Sequence, residues 1–147
     1  MSLRDWLEND WLTEHRTSAG EIRDLLKAVE RDLADSRISA LSPDWRLSIA
    51  YNAALQAATA ALAAAGYRAS RESHHYRVVQ SLAHTIEAEE SLIARFDRFR
   101  VKRNIGTYER SGMISDHEAD EMVELAIEIH ERVKGWLQKE HPDLLRT

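Results

Sequence analysis

Apolar residues recur along most of this chain at the three- and four-residue spacing that stacks side chains on one face of a helix. Ile22, Leu25, Leu26, Val29 and Leu33 follow Ser18, which has Glu21 three residues on; that capping-box pattern predicts a helix over residues 18 to 36. Ser42 before Pro43 opens a second, because a proline at the first helical position gives up only an N–H that has no intrahelical partner. It runs to Gly66, a residue free to take the left-handed conformation that ends helices. Leu47, Tyr51, Leu55, Ala58 and Leu62 mark its inner face, while ten alanines between Ala50 and Ala65 let neighbouring helices approach over much of its circumference. After a loop over Tyr67 to Arg71, the residues Tyr76, Val79, Leu82, Ala83 and Ile86 predict a third helix. Leu92, Ile93, Phe96 and Phe99 predict a fourth, with the break between the two near Glu87 to Glu90. Ser115 and Glu118 form another capping box. The last helix then turns Ala119, Met122, Val123, Ala126, Ile129, Val133 and Trp136 inward and stops before Pro142.

No stretch alternates apolar and polar residues for long enough to suggest a half-buried strand. The expected fold is therefore all-α, an antiparallel up-and-down bundle of four long helices with additional short helices, in one domain spanning residues 1–147. Residues 1–17 carry Trp6, Leu7, Trp11 and Leu12 and read as an accessory amphipathic segment, too short to be stable alone and packed across the bundle.

With 147 residues the chain can bury a core without covalent staples. It has no cysteine, which excludes a disulfide framework, an iron–sulfur cluster, zinc-thiolate chemistry and a catalytic thiol, and fits a reducing, cytoplasmic setting. Arg4, Asp5, Glu8 and Asp10 stand where a signal peptide needs its apolar run, and no stretch reaches the ~20 apolar residues of a membrane span. Asn52, Gln56 and Thr59 argue against a membrane role for the alanine-rich helix.

The net charge of −5 repels polyanions overall, yet the charge is segregated. Arg95, Arg98, Arg100, Lys102, Arg103 and Arg110 cluster against only Asp97 and Glu109. Residues 116–131 then hold seven acids and neither lysine nor arginine. Glu72 and His75 give a single Glu-x-x-His pair where a di-iron bundle needs two, and His74 and His75 are adjacent on a helix and point apart; no metal and no other cofactor is expected. The chain lacks a nucleophile elbow and a glycine-rich phosphate loop. Arg100, Lys102 and Arg103 remain as candidate phosphate or RNA ligands, with Asn104 and Tyr108 beside them, since a guanidinium fork matches two phosphate oxygens. In the competing reading these cations pair with Asp97 and the acidic last helix.

Ala50-Tyr51-Asn52-Ala53-Ala54-Leu55, Ala64-Ala65-Gly66-Tyr67-Arg68, His74-His75 and Arg103-Asn104 with Tyr108 together resemble the prokaryotic HEPN domain, over residues 18 to 138. The resemblance implies a four-helix homodimer of toxin–antitoxin or defence systems, often beside a nucleotidyltransferase partner. It also implies a metal-independent RNase motif of an arginine followed, four to six residues on, by a histidine. Arg103 matches the arginine and Asn104 the polar residue after it, but Tyr108 stands where the histidine belongs. A tyrosine with pKa near ~10 is a poor base at neutral pH. RNA or nucleotide binding with weak or absent cleavage is thus expected from Arg103, Asn104 and Tyr108, with His74 or His75 brought across a dimer as a possible substitute. The alternative is a protein-interaction module that docks a partner through its acidic and alanine-rich helices and binds no nucleic acid.

Overall fold

The computed structural model describes residues 1–108 and 114–146, with side chains described outside residues 104–108. The chain is mostly helical. In order it forms α1 (Leu3–Glu8), β1 (Leu12–Glu14), α2 (Ala19–Ser36), α3 (Pro43–Ala64), β2 (Tyr67–Ala69), α4 (His74–Ser81), α5 (Glu90–Tyr108) and α6 (Asp116–Glu140), then a short 3-10 turn over Pro142–Leu145.

The helix starts follow the capping residues. Ser18, Ser42 and Ser115 each accept a hydrogen bond from the backbone N–H three residues on, at 3.1, 3.3 and 3.1 Å. Ser115 and Glu118 complete the reciprocal box, but Glu21 does not. Its carboxylate turns instead to Thr17 Oγ1 at 2.6 Å and His15 Nε2 at 2.7 Å, and these bonds, Thr17 first, lower its pKa despite partial burial. Gly66 takes φ +101° directly after α3, a conformation that costs a residue with a Cβ.

Gly66 also turns the chain into β2, which pairs antiparallel with β1 so that Leu12 faces Ala69 and Glu14 faces Tyr67. The sequence predicts no strand here, because three residues are too few to display a period of two. The same ribbon ties the first residues into the fold. Trp6 and Leu12 are buried in the common core, and the Arg77 guanidinium of α4 lies 3.7 Å from the Trp11 ring centroid. The third helix is also shorter than its pattern: α4 ends at Ser81, and Leu82 and Ile86 are buried from the turns that follow.

α3 is the hub, packed against α2 and α6 and also touched by α4, α5 and β2. Twelve of its residues are buried, among them Ala50, Ala53, Ala54, Ala57, Ala58, Ala60, Ala61 and Ala63. By length and hydropathy alone it could cross a membrane, but 67% of that stretch is buried within the protein. Its polar residues serve the interior. Asn52 Nδ2 and Gln56 Nε2 donate to the buried Asp32 Oδ2 of α2 at 2.9 and 2.8 Å, and Arg31 engages the other carboxylate oxygen at 3.1 Å. Ala57→Leu inserts three carbons where the parent residue has no exposed surface. It is expected to lower stability by about 1–3 kcal/mol, read as the chemical-denaturation midpoint.

His130 of α6 is 8% exposed, and its Nε2 has no hydrogen-bond partner among the described residues. Burial, aided by Lys134 and opposed by Glu30 and Glu131, lowers its pKa below 6.5. The unfolded chain therefore binds a proton more readily, so this contribution to stability is present above pH 6.5 and is lost as pH falls toward the folded value. His130→Leu is expected to make the melting temperature fall less between pH 7 and pH 5 than it does in the parent. Parallel profiles would show that His130 titrates alike in the folded and unfolded chain.

Candidate anion-binding site

Phe96, Arg100 and Arg103 follow one another by four and three residues, the spacing that places them along one stripe of α5. Phe96 has no exposed surface and meets the Tyr51 ring of α3 edge-on, with centroids 5.7 Å apart and planes at 70°. Two turns further on, the Arg103 guanidinium carbon lies 5.3 Å from the centroid of the same ring. A cation over an aromatic face is attracted by the ring quadrupole, and this contact holds Arg103 without neutralising it.

From α4, His74 and His75 project about 100° apart, as successive helical residues must. His74 Nδ1 donates to the Ala69 carbonyl at 3.1 Å, and its ring lines a pocket of about 220 Å³ shared with His15, Glu21 and Leu62. His75 faces the other way. Its Nδ1 lies 3.4 Å from the Tyr51 hydroxyl, a long hydrogen bond, with ring centroids 6.1 Å apart. Tyr76 lies beneath Arg100, 5.4 Å from guanidinium carbon to ring centroid.

Tyr51, His75, Arg100 and Arg103 thus form one cluster where α3, α4 and α5 meet. Burial pushes the Tyr51 hydroxyl up to about 12, against the pull of Arg103 and Arg100, so it keeps its proton at any physiological pH. Burial first, then Arg103, His74 and Arg100, lowers the His75 pKa, which leaves the ring neutral at pH 7.

Three other cations of the basic stretch are paired with acids. Lys102 Nζ pairs with Glu118 at the start of α6, so this expected phosphate ligand is spoken for. Arg95 lies 3.6 Å from Glu128, and Arg100 Nε donates to Asp97 at 2.7 Å. Arg103 makes no ion pair among the described residues, and its Nε is buried without a hydrogen-bond partner there. Acid neutralisation accounts for these three cations; among the described residues it leaves Arg98, which is exposed, and Arg103, whose Nε is buried, without a paired acid. The side chains of Asn104 and Tyr108, the other two expected site residues, lie outside the described residues.

Tyr51 and His75 join this site only in three dimensions. In the sequence Tyr51 reads as one more inward position of α3, and its hydroxyl leaves no mark on that periodicity. The substitute histidine expected across a dimer is not needed to bring an imidazole to the cluster, since His75 reaches it within the same chain. Among the described residues no three metal-ligating side chains converge. No protein-family model matches this chain, and neither a curated protein nor a solved structure matches it significantly.

Proposed function

We propose that this chain is a HEPN-like protein that binds RNA or a nucleotide through Arg103, with Arg100, Tyr51 and His75 around it. In this reading α2, α3, α5 and α6 are the four long helices of an antiparallel bundle. The protein works in the cytoplasm as a homodimer of a toxin–antitoxin or defence system, with a nucleotidyltransferase as a candidate partner. The main support is the state of Arg103: a guanidinium braced on Tyr51, its Nε buried and unpartnered among the described residues, while the adjacent Lys102 is taken by Glu118. A buried donor without an acceptor costs free energy, and a phosphate oxygen is the acceptor a guanidinium matches best. Asn104 and Tyr108 extend the site by their place in the motif, and Tyr108 in place of histidine leaves cleavage weak or absent.

The test is binding of fluorescently labelled single-stranded RNA to the full chain at low and high salt. Affinity is expected to fall steeply as salt rises, because each neutralised phosphate releases a counterion. Absence of binding at low salt would sink the reading in favour of a protein-docking module. That second reading has its own support in Trp45 and Ile38, which flank the α2–α3 turn and remain 65% and 48% exposed. The alanine-rich helix does not support it, since α3 is covered by this chain's own helices.

A further inference from the structure

Resting on that reading, we propose that His75 completes the site by taking up a proton when a phosphate monoester binds beside Arg103, which makes the site selective for a terminal phosphate over a bridging one. Charge balance is the starting point. Among the described residues Arg103 has no ion-pair partner and brings one positive charge, whereas Arg100 is held by Asp97 at 2.7 Å and the pair is neutral as a unit. Tyr51 keeps its proton and contributes a neutral hydroxyl. The free site therefore carries about one positive charge, enough for the single negative charge of a phosphodiester. A terminal phosphate approaches two negative charges near neutrality, its second pKa being about 6. Only His75 can supply the difference, because it is the one group in the cluster that changes charge between pH 5 and 8.

The groups that face His75 set the direction. Tyr51 approaches from α3; Arg100 and Arg103 approach from α5, with Asp97 on Arg100; His74 is its neighbour on α4. In the free protein both guanidiniums oppose protonation of the ring. A dianion seated against them offsets their field and adds its own attraction, so the same geometry that keeps the imidazole neutral when empty favours imidazolium when filled. Protonated, His75 offers both ring N–H groups, one toward the Tyr51 oxygen and one to the phosphate. Tyr51, which is 1% exposed, is fixed in place by Phe96 and orients the imidazole.

The probes are a short oligouridylate with a 5′-phosphate, the same oligomer with a 5′-hydroxyl, and uridine 5′-monophosphate. They are titrated into the full chain at pH 7, while the His75 ring carbons are followed by NMR across pH. The phosphorylated oligomer is expected to bind roughly tenfold more tightly than the hydroxyl form and to carry the His75 pKa well above the pH of the titration, since proton uptake strengthens binding at pH 7 only as far as the bound ring holds its proton there. His75→Gln keeps a hydrogen-bonding side chain but cannot take the proton, and is expected to erase the tenfold preference while binding of the hydroxyl oligomer persists. Uridine monophosphate binding with the same His75 shift supports the proposal with a free nucleotide as the source, and binding of the phosphorylated oligomer alone supports it with an RNA end as the source. Equal affinity for the two oligomers with an unmoved His75 titration overturns the proposal and leaves RNA binding standing. Failure of both oligomers to bind overturns it together with the reading it rests on.

Discussion

Arg103→Ala is expected to weaken binding of single-stranded RNA by roughly ten- to a hundredfold at moderate salt, the loss of a charge-assisted bidentate contact worth about 1.5–3 kcal/mol. The slope of log affinity against log salt should shrink by roughly 0.7, one phosphate contact on a single strand. Lys102→Ala is the informative companion. Lys102 is one residue away and carries the same charge, but its ammonium pairs with Glu118. If bulk positive charge were what mattered, the two variants would lose similar affinity. A site centred on Arg103 predicts instead that the lysine variant binds within a few-fold of the parent, because an already paired cation has little to give a phosphate. Comparable losses in both, measured by fluorescence anisotropy, would show that the stretch acts as a diffuse patch and that Arg103 has no special place in it.

Phe96→Ala should be the most damaging change to the fold, at roughly 3–5 kcal/mol. The ring has no exposed surface, and it joins α5 to α3 by its edge-on contact with Tyr51. Its removal leaves a cavity lined partly by a tyrosine whose position depends on that contact. Two readouts should therefore move together: the denaturation midpoint, and the NMR signature of His75, which is braced by Tyr51 from the other side. A loss below about 1 kcal/mol would mean that α5 is held mainly by contacts other than this one.

What the sequence reveals of the fold depends on how local each cause is. The starts of α2, α3 and α6 are readable because a cap acts within four residues: Ser18, Ser42 and Ser115 each bond the N–H of the third residue on. The stop at Gly66 is readable for the same reason. The ribbon is hidden because Leu12–Glu14 and Tyr67–Ala69 define each other only across more than fifty residues of intervening chain. The end of α4 is hidden because Leu82 and Ile86 keep a helical spacing while being buried from turns, where the Ala88 N–H bonds the Leu82 carbonyl at 3.0 Å. Burial alone does not require a helix.

The site divides along the same line. The stripe of Phe96, Arg100 and Arg103 is a single-helix property and lies in plain view once α5 is assigned. That Lys102 is lost to Glu118 and Arg103 is not follows from the 100° between successive residues, but the sequence alone does not say which of the two meets α6. His75 and Tyr51 sit 24 positions apart, and only the packing of α4 against α3 joins them. The alanines of α3 announce close packing, whereas the buried Asp32 that Asn52 and Gln56 serve on α2 has no local signature.

Whether Arg103 holds the phosphate is answered most plainly by the arginine side-chain NMR spectrum during titration with single-stranded RNA. The buried Nε–H of Arg103 is expected to give a resonance that moves on addition of RNA, while that of Arg46, whose Nε is already bonded to the Ser36 carbonyl at 3.0 Å, stays in place. An Arg103 resonance unmoved at saturating RNA would contradict the assignment of this guanidinium as the phosphate ligand.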